Sequence, residues 1–238
     1  MKILCVIPAR GGSKRVPLKN ILPICGRPAL AWTVDHIREA KSAMTVALLT
    51  DSQPIAEVAQ NLGVKVIDEP ADIAGDAADE SVYLSFAVQA VEDPSAPFDL
   101  ILDLPACVPI RPAGIVDALV HMIQASGCDF CQTVAPLLSH VHPYRALMLD
   151  SDARVQNLYA AGASLLSQQY PPYYVYTGAG VAITRDALRR SQGRSVQDES
   201  LALDRRGLIH AADACVDIDT PQDVLWAEFL LSRRSTSC

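Results

Sequence analysis

The chain has 238 residues, half of them apolar, and a formal net charge of −7 at neutral pH. This length suits one large domain, residues 1–238, with a substantial core. An acidic balance argues against nucleic-acid partners, whose phosphates require widely spread basic charge. No stretch approaches the roughly eighteen uninterrupted apolar residues of a membrane span, and residues 3–7 are too short for a targeting segment. We therefore expect a soluble, cytoplasmic protein without a membrane partner.

Short apolar runs alternate with helical patterns up to residue 135, which predicts an α/β fold. Its sheet should be Rossmann-like and mostly parallel, with flanking helices. The predicted strands are residues 3–7, 45–50, 64–67, 100–104 and 130–134. The predicted helices are residues 28–40, 54–62, 81–91, 113–124 and 221–231. Ligands of such sheets bind beyond the carboxyl ends of the strands.

Residues 139–176 interrupt this periodicity with prolines and with tyrosines at 170, 173, 174 and 176. Tyrosine-rich surfaces are favoured at protein contacts, because each ring buries area and keeps a polar group. We interpret this segment as a protruding arm or interface inserted within the domain.

The seven cysteines are odd in number and scattered through apolar sequence, which indicates reduced core residues. Cys128 and Cys131 have the C-x-x-C spacing of redox and zinc sites. We expect both in a strand, where residues three apart point to opposite faces, so the spacing does not predict a metal site.

A basic, glycine-containing loop follows the first predicted strand. It concentrates charge and small residues within ten positions, at Arg10, Gly11, Gly12, Ser13, Lys14, Arg15 and Lys19. Glycine lets backbone N–H groups approach a ligand, arginine grips phosphate with a planar fork, and lysine adds a compact charge. The loop lacks both G-x-x-x-x-G-K-[ST] and G-x-G-x-x-G. It predicts an anion site, and a solvated basic turn is the alternative.

A second chemical motif, Asp217-Ile-Asp-Thr220, lies near the end of the chain. If it begins as a strand, Asp217 and Asp219 share one face, and two carboxylates this close suit Mg²⁺. Thr220 and Pro221 would cap and begin the following helix. The alternative is a helix cap beside two solvent-facing aspartates.

The stretch from Pro8 to Asn20 resembles the opening signature of the acylneuraminate cytidylyltransferases, which make CMP-activated sialic acids and related nonulosonates. The Asp-Ile-Asp-Thr motif resembles that family's late metal-binding motif. The resemblance implies a nucleotide site at Ala9, Arg10, Gly11, Ser13, Lys14, Lys19 and Asn20. It also implies that Asp217 and Asp219 hold Mg²⁺, and that the catalytic residues are Arg10, Lys14, Lys19 and Asp217.

The resemblance continues between these ends. Residues 70–76 resemble a family segment near the base, which implies a nucleotide role for Asp76 and for the adjoining Glu69. Pro109-Ile-Arg111 resembles a Pro-Leu-Arg turn near the acceptor sugar. Further substrate-binding candidates are Arg145, Gln168 and Tyr174. In the family the segment equivalent to residues 139–176 packs on a partner subunit, so a homodimer is implied by analogy.

Two departures from the family pattern affect specificity. Glu69 stands where the family usually has an arginine, and a carboxylate accepts hydrogen bonds where a guanidinium donates them. Glu69 is therefore compatible with guanine, or it faces water. Residues 105–108 replace a polar Gln-Pro-Thr-Ser, and Thr177 replaces an asparagine. Loss of hydrogen-bonding groups changes discrimination strongly, so we expect a less hydroxylated nonulosonate such as pseudaminic or legionaminic acid.

We therefore predict a Mg²⁺-dependent nucleotidyltransferase that joins CTP and a sugar acid with loss of pyrophosphate. Positioning and charge stabilisation would supply the catalysis. A guanylyltransferase acting on a sugar phosphate is one alternative. A non-catalytic nucleotide-binding module or a nicotinamide enzyme is another, opposed by the Asp217/Asp219 pair and by the missing dinucleotide fingerprint. Asp103, at a predicted strand end, either assists the metal or caps a loop.

Overall fold

The computed structural model describes residues 1–75, 79–159, 166–191 and 193–235. Asp76, one of the predicted nucleotide-binding residues, lies outside these ranges. The strands are β1 (Ile3–Pro8), β2 (Pro23–Ile24), β3 (Arg27–Pro28), β4 (Thr45–Thr50), β5 (Lys65–Asp68), β6 (Leu100–Asp103), β7 (Phe130–Pro136), β8 (Leu147–Leu149), β9 (Val155–Asn157), β10 (Tyr174–Thr184) and β11 (Arg205–Ile209). The helices are α1 (Ala29–Arg38), α2 (Gln53–Asn61), α3 (Glu80–Val91), α4 (Ile115–Ser126), α5 (Arg185–Ser191) and α6 (Pro221–Ser235).

Seven strands form the main sheet in the order β11-β7-β10-β6-β1-β4-β5. The pairs of β1 with β4 and β6, of β4 with β5, and of β7 with β11 are parallel. Strand β10 runs antiparallel to both neighbours. The predicted mostly parallel α/β sheet is therefore confirmed, and β10 is the reversed strand within it.

Helices cover both faces of the sheet because its central strands are apolar on both sides. In β1, Ile3, Cys5 and Ile7 face one core cluster, while Leu4 and Val6 face another. Side chains of α1, α2 and α4 pack in the first cluster, and those of α3 and α5 pack in the second. This alternation with uniform burial is typical of a parallel sheet covered by helices.

The five predicted strands and five predicted helices of the sequence analysis all exist, with bounds that shift by a few residues. The expected strand before Asp219 is wrong: residues 215–219 are extended and joined to the sheet region by a single bridge between Ile110 and Val216. The expectation for the C-x-x-C pair is also corrected. Cys128 precedes β7, and it shares one core cluster with Cys131.

The segment predicted as an arm contains the short antiparallel hairpin of β8 and β9 and the start of β10. Several large apolar side chains on it are exposed, among them Leu147, Leu149, Val155 and Leu158. His142 is buried there between Tyr170 and Tyr173, whose rings stack on it. Within the described ranges, no helix is long and apolar enough to cross a membrane.

Candidate active site

The two clefts that involve the basic loop open beyond the carboxyl ends of β1 and β5. The first has a volume of about 260 Å³, and it is lined by Pro8, Ala9, Arg10, Lys19, Asn20, Glu69, Ile73, Ala74, Gly75, Tyr83 and Cys107. The second has a volume of about 390 Å³, and it is lined by Arg10, Ser13, Lys14, Arg15, Val16, Lys19 and Asp219. Arg10 and Lys19 belong to both, so the clefts adjoin. The basic loop of the sequence analysis forms their common wall.

Gly11 fastens the basic loop to the end of β4. Its backbone N–H donates to Asp51 Oδ1 at 2.7 Å. A Cβ atom at this position would lie 2.8 Å from Ser52 Cβ, closer than real Cβ contacts. At Gly12 a Cβ would meet nothing within 4 Å. Glycine is therefore required sterically at residue 11 and not at residue 12.

Buried polar contacts hold the start of the loop in place. Thr50 Oγ1 donates to the Ala9 carbonyl at 2.6 Å, and the Asn20 side-chain amide donates to the Arg10 carbonyl at 2.9 Å. Asn20 is buried, and its own carbonyl accepts from Leu30 N–H. Asn20 thus closes the loop over Arg10 and acts through the backbone.

The larger cleft is suited to an anion. Lys14 and Arg15 line it together with the two shared cations. Ser13 Oγ is buried in its wall and has no hydrogen-bond partner among the described residues. An unpartnered buried hydroxyl costs free energy unless a ligand or water satisfies it. A phosphate oxygen in this cleft would do so.

Lys19 links the basic loop to the second chemical motif, two hundred residues away. Its Nζ donates to Asp219 Oδ1 at 2.8 Å, and Arg15 lies 3.7 Å from Oδ2 of the same carboxylate. The hydrogen bond from Lys19 lowers the pKa of Asp219. Burial disfavours the charge of Lys19, but the acidic groups around it, including Cys107, Asp219 and Asp217, outweigh burial and raise its pKa.

Asp217 has a more enclosed position than Asp219. The Cys107 thiol donates to Asp217 Oδ1 at 3.1 Å. Burial raises the pKa of Asp217, and Cys107 and Lys19 partly counter this. Gly178 has φ +69°, and a Cβ there would lie 3.2 Å from Asp217 Oδ2. This left-handed glycine leaves room for the second carboxylate oxygen.

Arg111, a predicted substrate-binding residue, lines neither of the two clefts. It is fully buried, and its guanidinium donates to the Ala179, Val108 and Pro105 carbonyls and to Thr33 Oγ1. All three of its nitrogen atoms are therefore engaged inside the protein. We assign Arg111 a positioning role between the β6 loop and β10, and its contact with the substrate stays a prediction.

Residues 105–108, which replace a polar segment of the family, are mostly buried. Ala106 and Val108 are inaccessible, and of residues 105–108 only Cys107 lines a cleft. The effect of these substitutions on the acceptor stays a prediction. Arg145, Gln168 and Tyr174 are exposed on residues 139–176 and line neither cleft.

Asp103 belongs to a buried acidic group beneath the first cleft. It is 3% exposed, and Tyr83 donates to its Oδ2 at 2.5 Å. Burial raises the pKa of Asp103 to about 6, and burial together with the neighbouring Asp103 raises the pKa of Glu80 strongly. Glu80 Oε1 and Asp103 Oδ1 are buried without a hydrogen-bond partner among the described residues, and the charge of the buried Arg111 partly offsets the effect of burial on Asp103. Asp103 thus caps no loop, and its assistance to the metal stays a prediction.

Two cleft residues escaped the sequence analysis. Tyr83 is a residue of α3 whose pattern indicates only a core-facing helix position, and its hydroxyl reaches Asp103. Cys107 belongs to the cysteines expected in the core and to a segment that is polar in the family. In the structure its thiol donates to Asp217. No signal in the sequence pairs either residue with partners that are 20 and 110 positions away.

The mostly parallel α/β sheet thus carries two adjoining clefts, and the carboxylates of Asp217 and Asp219 lie near Lys19, which lines both clefts. The fold is shared with the CTP-complexed structure of CMP-2-keto-3-deoxy-manno-octonic acid synthetase, with a TM-score of 0.75 and 20% identity over 98% of this chain and 100% of that one. Residues 4–169 match the family model for cytidylyltransferases. The chain belongs to the cytidylyltransferase family, and the resemblance found in the sequence is confirmed.

Among the curated relatives, pseudaminic acid cytidylyltransferase of Campylobacter jejuni is 32% identical over 111 residues. That match spans 46% of this chain and 48% of the relative, or about half of each. CMP-N,N'-diacetyllegionaminic acid synthase of Legionella pneumophila is 27% identical over 232 residues, which cover 95% of this chain and 94% of the relative.

Proposed function

We propose that this chain transfers CMP from CTP to the anomeric hydroxyl of an α-keto sugar acid and releases pyrophosphate. The observation that carries the proposal is the junction of the clefts, where Lys19 bonds Asp219 at 2.8 Å beside Asp217. Family membership supports the cytidine nucleotide. The printed names of the relatives support a nonulosonic acid, with pseudaminic or legionaminic acid first.

The two clefts suit different parts of the nucleotide, the base in the first and the triphosphate in the second. Among the described residues, the first cleft has an apolar wall at Ile73 and Ala74 and one carboxyl group, that of Glu69, which suits a base. The second has four cationic side chains and the unpartnered Ser13 hydroxyl, which suits the triphosphate. Arg10 and Lys19 border both clefts and would therefore lie nearest the α-phosphate.

In the proposed reaction the sugar hydroxyl oxygen forms a bond to the α-phosphorus, and the bond from that phosphorus to the bridging oxygen breaks. The hydroxyl proton is released, and pyrophosphate leaves with the electrons of the broken bond. Arg10, Lys14 and Lys19 would neutralise the charge that develops on the leaving group. Asp217, whose raised pKa reflects its buried position, would lie beside the attacking hydroxyl.

The donor set fits the proposed Mg²⁺ ion. Asp217 and Asp219 supply hard oxygen ligands, and Mg²⁺ is commonly held by one or two carboxylates with substrate phosphates. In the described part of the chain no group of three His, Cys, Asp or Glu side chains could hold a metal, so phosphate oxygens would complete this site. When bound, the ion would supply charge neutralisation and polarisation of the α-phosphate. Lys19 and Arg15 hold Asp219 in place for it.

A cytoplasmic homodimer is part of the same proposal. The exposed apolar residues of the β8–β9 hairpin support it, because a surface of this kind is favoured at an interface. The roles of Arg145, Gln168 and Tyr174 at the acceptor depend on this arm and stay predictions.

Pyrophosphate release tests the function. The purified chain is assayed with Mg²⁺ and each of CTP, GTP, UTP and ATP against a panel of nonulosonic acids, octulosonic acids and hexosamine phosphates. We expect release with CTP and one α-keto acid. Asp217→Asn should abolish it, while Asp213→Asn, an exposed neighbour that lines neither cleft, should retain it.

Release with GTP and a sugar phosphate alone would instead assign the guanylyltransferase alternative. No pyrophosphate with any combination would contradict nucleotidyl transfer and favour a binding module.

A further inference from the structure

The backbone of Glu69 is held by a hydrogen bond, and its side-chain carboxyl group has no hydrogen-bond partner among the described residues. It directly follows β5, and its N–H donates to the Thr50 carbonyl at 2.8 Å, which ties it to the end of β4. Its half-buried side chain lines the first cleft with Ile73 and Ala74. Within the described ranges, the Glu69 carboxyl forms no hydrogen bond. A polar group held in a base-sized cleft without a partner is available to a ligand.

Charged groups from several elements surround Glu69. Asp51, after β4, opposes a negative charge on it, and Arg10, from the basic loop, favours one. Asp68 shares an adjoining cleft with it, while Lys19 lines the first cleft. Burial, and to a smaller extent the charge of Asp51, raise the pKa of Glu69 to about 7. The positive charge of Arg10 lowers this pKa and offsets only part of the increase. At neutral pH both protonation states are therefore well populated.

The two protonation states have different hydrogen-bonding patterns. A neutral carboxyl group presents one O–H donor beside one acceptor, whereas a carboxylate only accepts. The pairing edge of cytosine presents the N4 amino donor beside the N3 acceptor, so the neutral acid makes two bonds with it. Guanine presents two adjacent donors, N1–H and the N2 amino group, so it matches the carboxylate. The charge of the carboxyl group therefore discriminates between these bases.

We propose that Glu69 is the base-specificity residue of this site and reads the pairing edge of cytosine as a neutral carboxylic acid. The inference rests on the proposed function and names a residue that determines the nucleotide. This inference replaces the interpretation that Glu69 indicates a preference for guanine nucleotides. CTP binding then takes up a proton wherever free Glu69 is ionised, so affinity falls by up to about tenfold per pH unit above about pH 7.

The test compares CTP binding by the wild type and by Glu69→Gln. A glutamine amide presents one donor side and one acceptor side at every pH, so it imitates the neutral acid. Calorimetry in two buffers of different ionisation enthalpy, between about pH 6 and about pH 8.5, gives affinity and proton uptake. The phosphates of CTP change protonation equally in the experiments with both proteins. The difference in proton uptake between the wild type and Glu69→Gln is therefore due to residue 69.

We expect the wild type to take up close to one more proton than Glu69→Gln at the alkaline end, and to lose about tenfold more affinity per pH unit there. Asp68→Asn is the matched control, because it removes the adjacent exposed carboxylate, and it should keep the wild-type pH dependence. In turnover assays, Glu69→Gln should keep its preference for CTP over GTP at alkaline pH.

Identical pH dependence and proton uptake in the wild type and Glu69→Gln would overturn the inference, even with CMP transfer intact. A wild type that binds GTP in preference to CTP at every pH would overturn it as well. Absence of CTP turnover in the wild type and in all variants would instead count against the proposed function.

Discussion

Asp217 and Asp219 are two residues apart, yet their surroundings give the two carboxyl groups opposite pKa shifts. Burial raises the pKa of Asp217, and the hydrogen bond from Lys19 lowers the pKa of Asp219. Alternation along an extended segment places Val216 and Ile218 in the core and leaves both carboxyl groups half-buried. The surroundings therefore favour the charged form of Asp219 and disfavour that of Asp217, which a cation bound beside it would stabilise.

Gly11→Ala tests the anchoring of the basic loop. The added Cβ would lie 2.8 Å from Ser52 Cβ, so the loop has to move and the Arg10 side chain moves with it. Because small misplacements of a positioning group reduce rates strongly, we expect kcat/KM for CTP to fall by at least about tenfold. The melting temperature should change little.

Gly12→Ala provides the steric control for that variant, since its Cβ has open space. Steady-state kinetics of the two variants should differ clearly. Equal losses of kcat/KM would mean that contact with Ser52 does not set the position of the loop.

Arg111→Lys tests the positioning role assigned to Arg111. Lysine cannot reproduce the planar set of bonds to the Ala179, Val108 and Pro105 carbonyls and to Thr33. Breaking a buried charged network costs about 3–5 kcal/mol, so the free energy of unfolding in urea should fall by an amount of this order. Wild-type stability together with a raised KM for the sugar acid would support the original prediction of substrate contact.

At the scale of elements, α6 begins directly after the carboxylate pair and fixes it. Asp223 Oδ2 accepts from Thr220 N–H at 2.7 Å, from Thr220 Oγ1 at 2.9 Å and from Asp219 N–H at 3.0 Å. Ala227 and Leu231 on the buried side of α6 pack with Ile218. The helix cap and the proposed metal site are therefore one structure, and the two interpretations of this motif are compatible.

Asp223→Ala should affect both stability and the Mg²⁺ requirement. Loss of a cap lowers the free energy of unfolding by about 1 kcal/mol. Because Asp219 N–H also loses its partner, we expect a higher Mg²⁺ concentration for half-maximal pyrophosphate release. Gln222→Ala, an exposed change in the same turn, should leave that concentration unaltered. An unchanged Mg²⁺ dependence in Asp223→Ala would separate the cap from the metal site.

The sequence predicted elements well where local pattern decides them, as in β1 and β4, whose apolar runs are continuous. It missed β10, α5 and β11, which follow the irregular segment before residue 174. Strand β10 contains Gly178 and Gly180, which weaken a strand pattern. Gly180 is needed because a Cβ there would lie 2.6 Å from Leu104 Cδ2. Such a requirement depends on packing from elsewhere in the chain.

The same limit explains the site residues. The positions of Arg10 and Lys19 at the clefts could be predicted because both residues belong to one motif within a short stretch of sequence. Arg111 also lies in a motif, but its burial depends on β10 and on the Pro105 carbonyl. Charge alone does not distinguish an arginine that faces a ligand from one that holds carbonyl groups inside the protein.

At the scale of the whole molecule, the buried Glu80–Asp103 pair makes stability depend on pH. Both pKa values are raised in the folded state, so the folded protein binds more protons than the unfolded chain. Stability from this pair is therefore present at acid pH and is lost as pH rises through the folded pKa values, of which that of Asp103 is about 6.

Glu80→Gln should remove much of this dependence. We expect the variant to gain stability relative to the wild type between about pH 5 and about pH 8, with a slope of at most about 1.4 kcal/mol per pH unit. Urea denaturation across this range measures it. Parallel stability curves for the two proteins would show that the pair does not hold an extra proton.

The proposed dimer depends on the arm. Leu149 and Val155 pair across the β8–β9 hairpin and are 64% and 59% exposed. Lysines at both positions should convert a dimer to a monomer, because they place charge in the apolar contact. Light scattering coupled to size-exclusion chromatography gives the mass. Leu225→Lys, on the 68% exposed Leu225 of α6, should remain dimeric. A monomeric wild type at all concentrations would refute the proposal.

The reversed strand β10 connects two distant parts of the protein mechanically. It leaves the arm at Tyr174, where it already pairs with β7, and Gly178 lies beside Asp217 in the irregular part of the strand between Tyr176 and Val181. A displacement of the arm would therefore move β10 and, through Gly178, the Asp217 carboxylate. The loop around Arg10 is held at the end of β4 and would not move with it. Dilution that separates subunits should accordingly slow turnover before it weakens nucleotide binding.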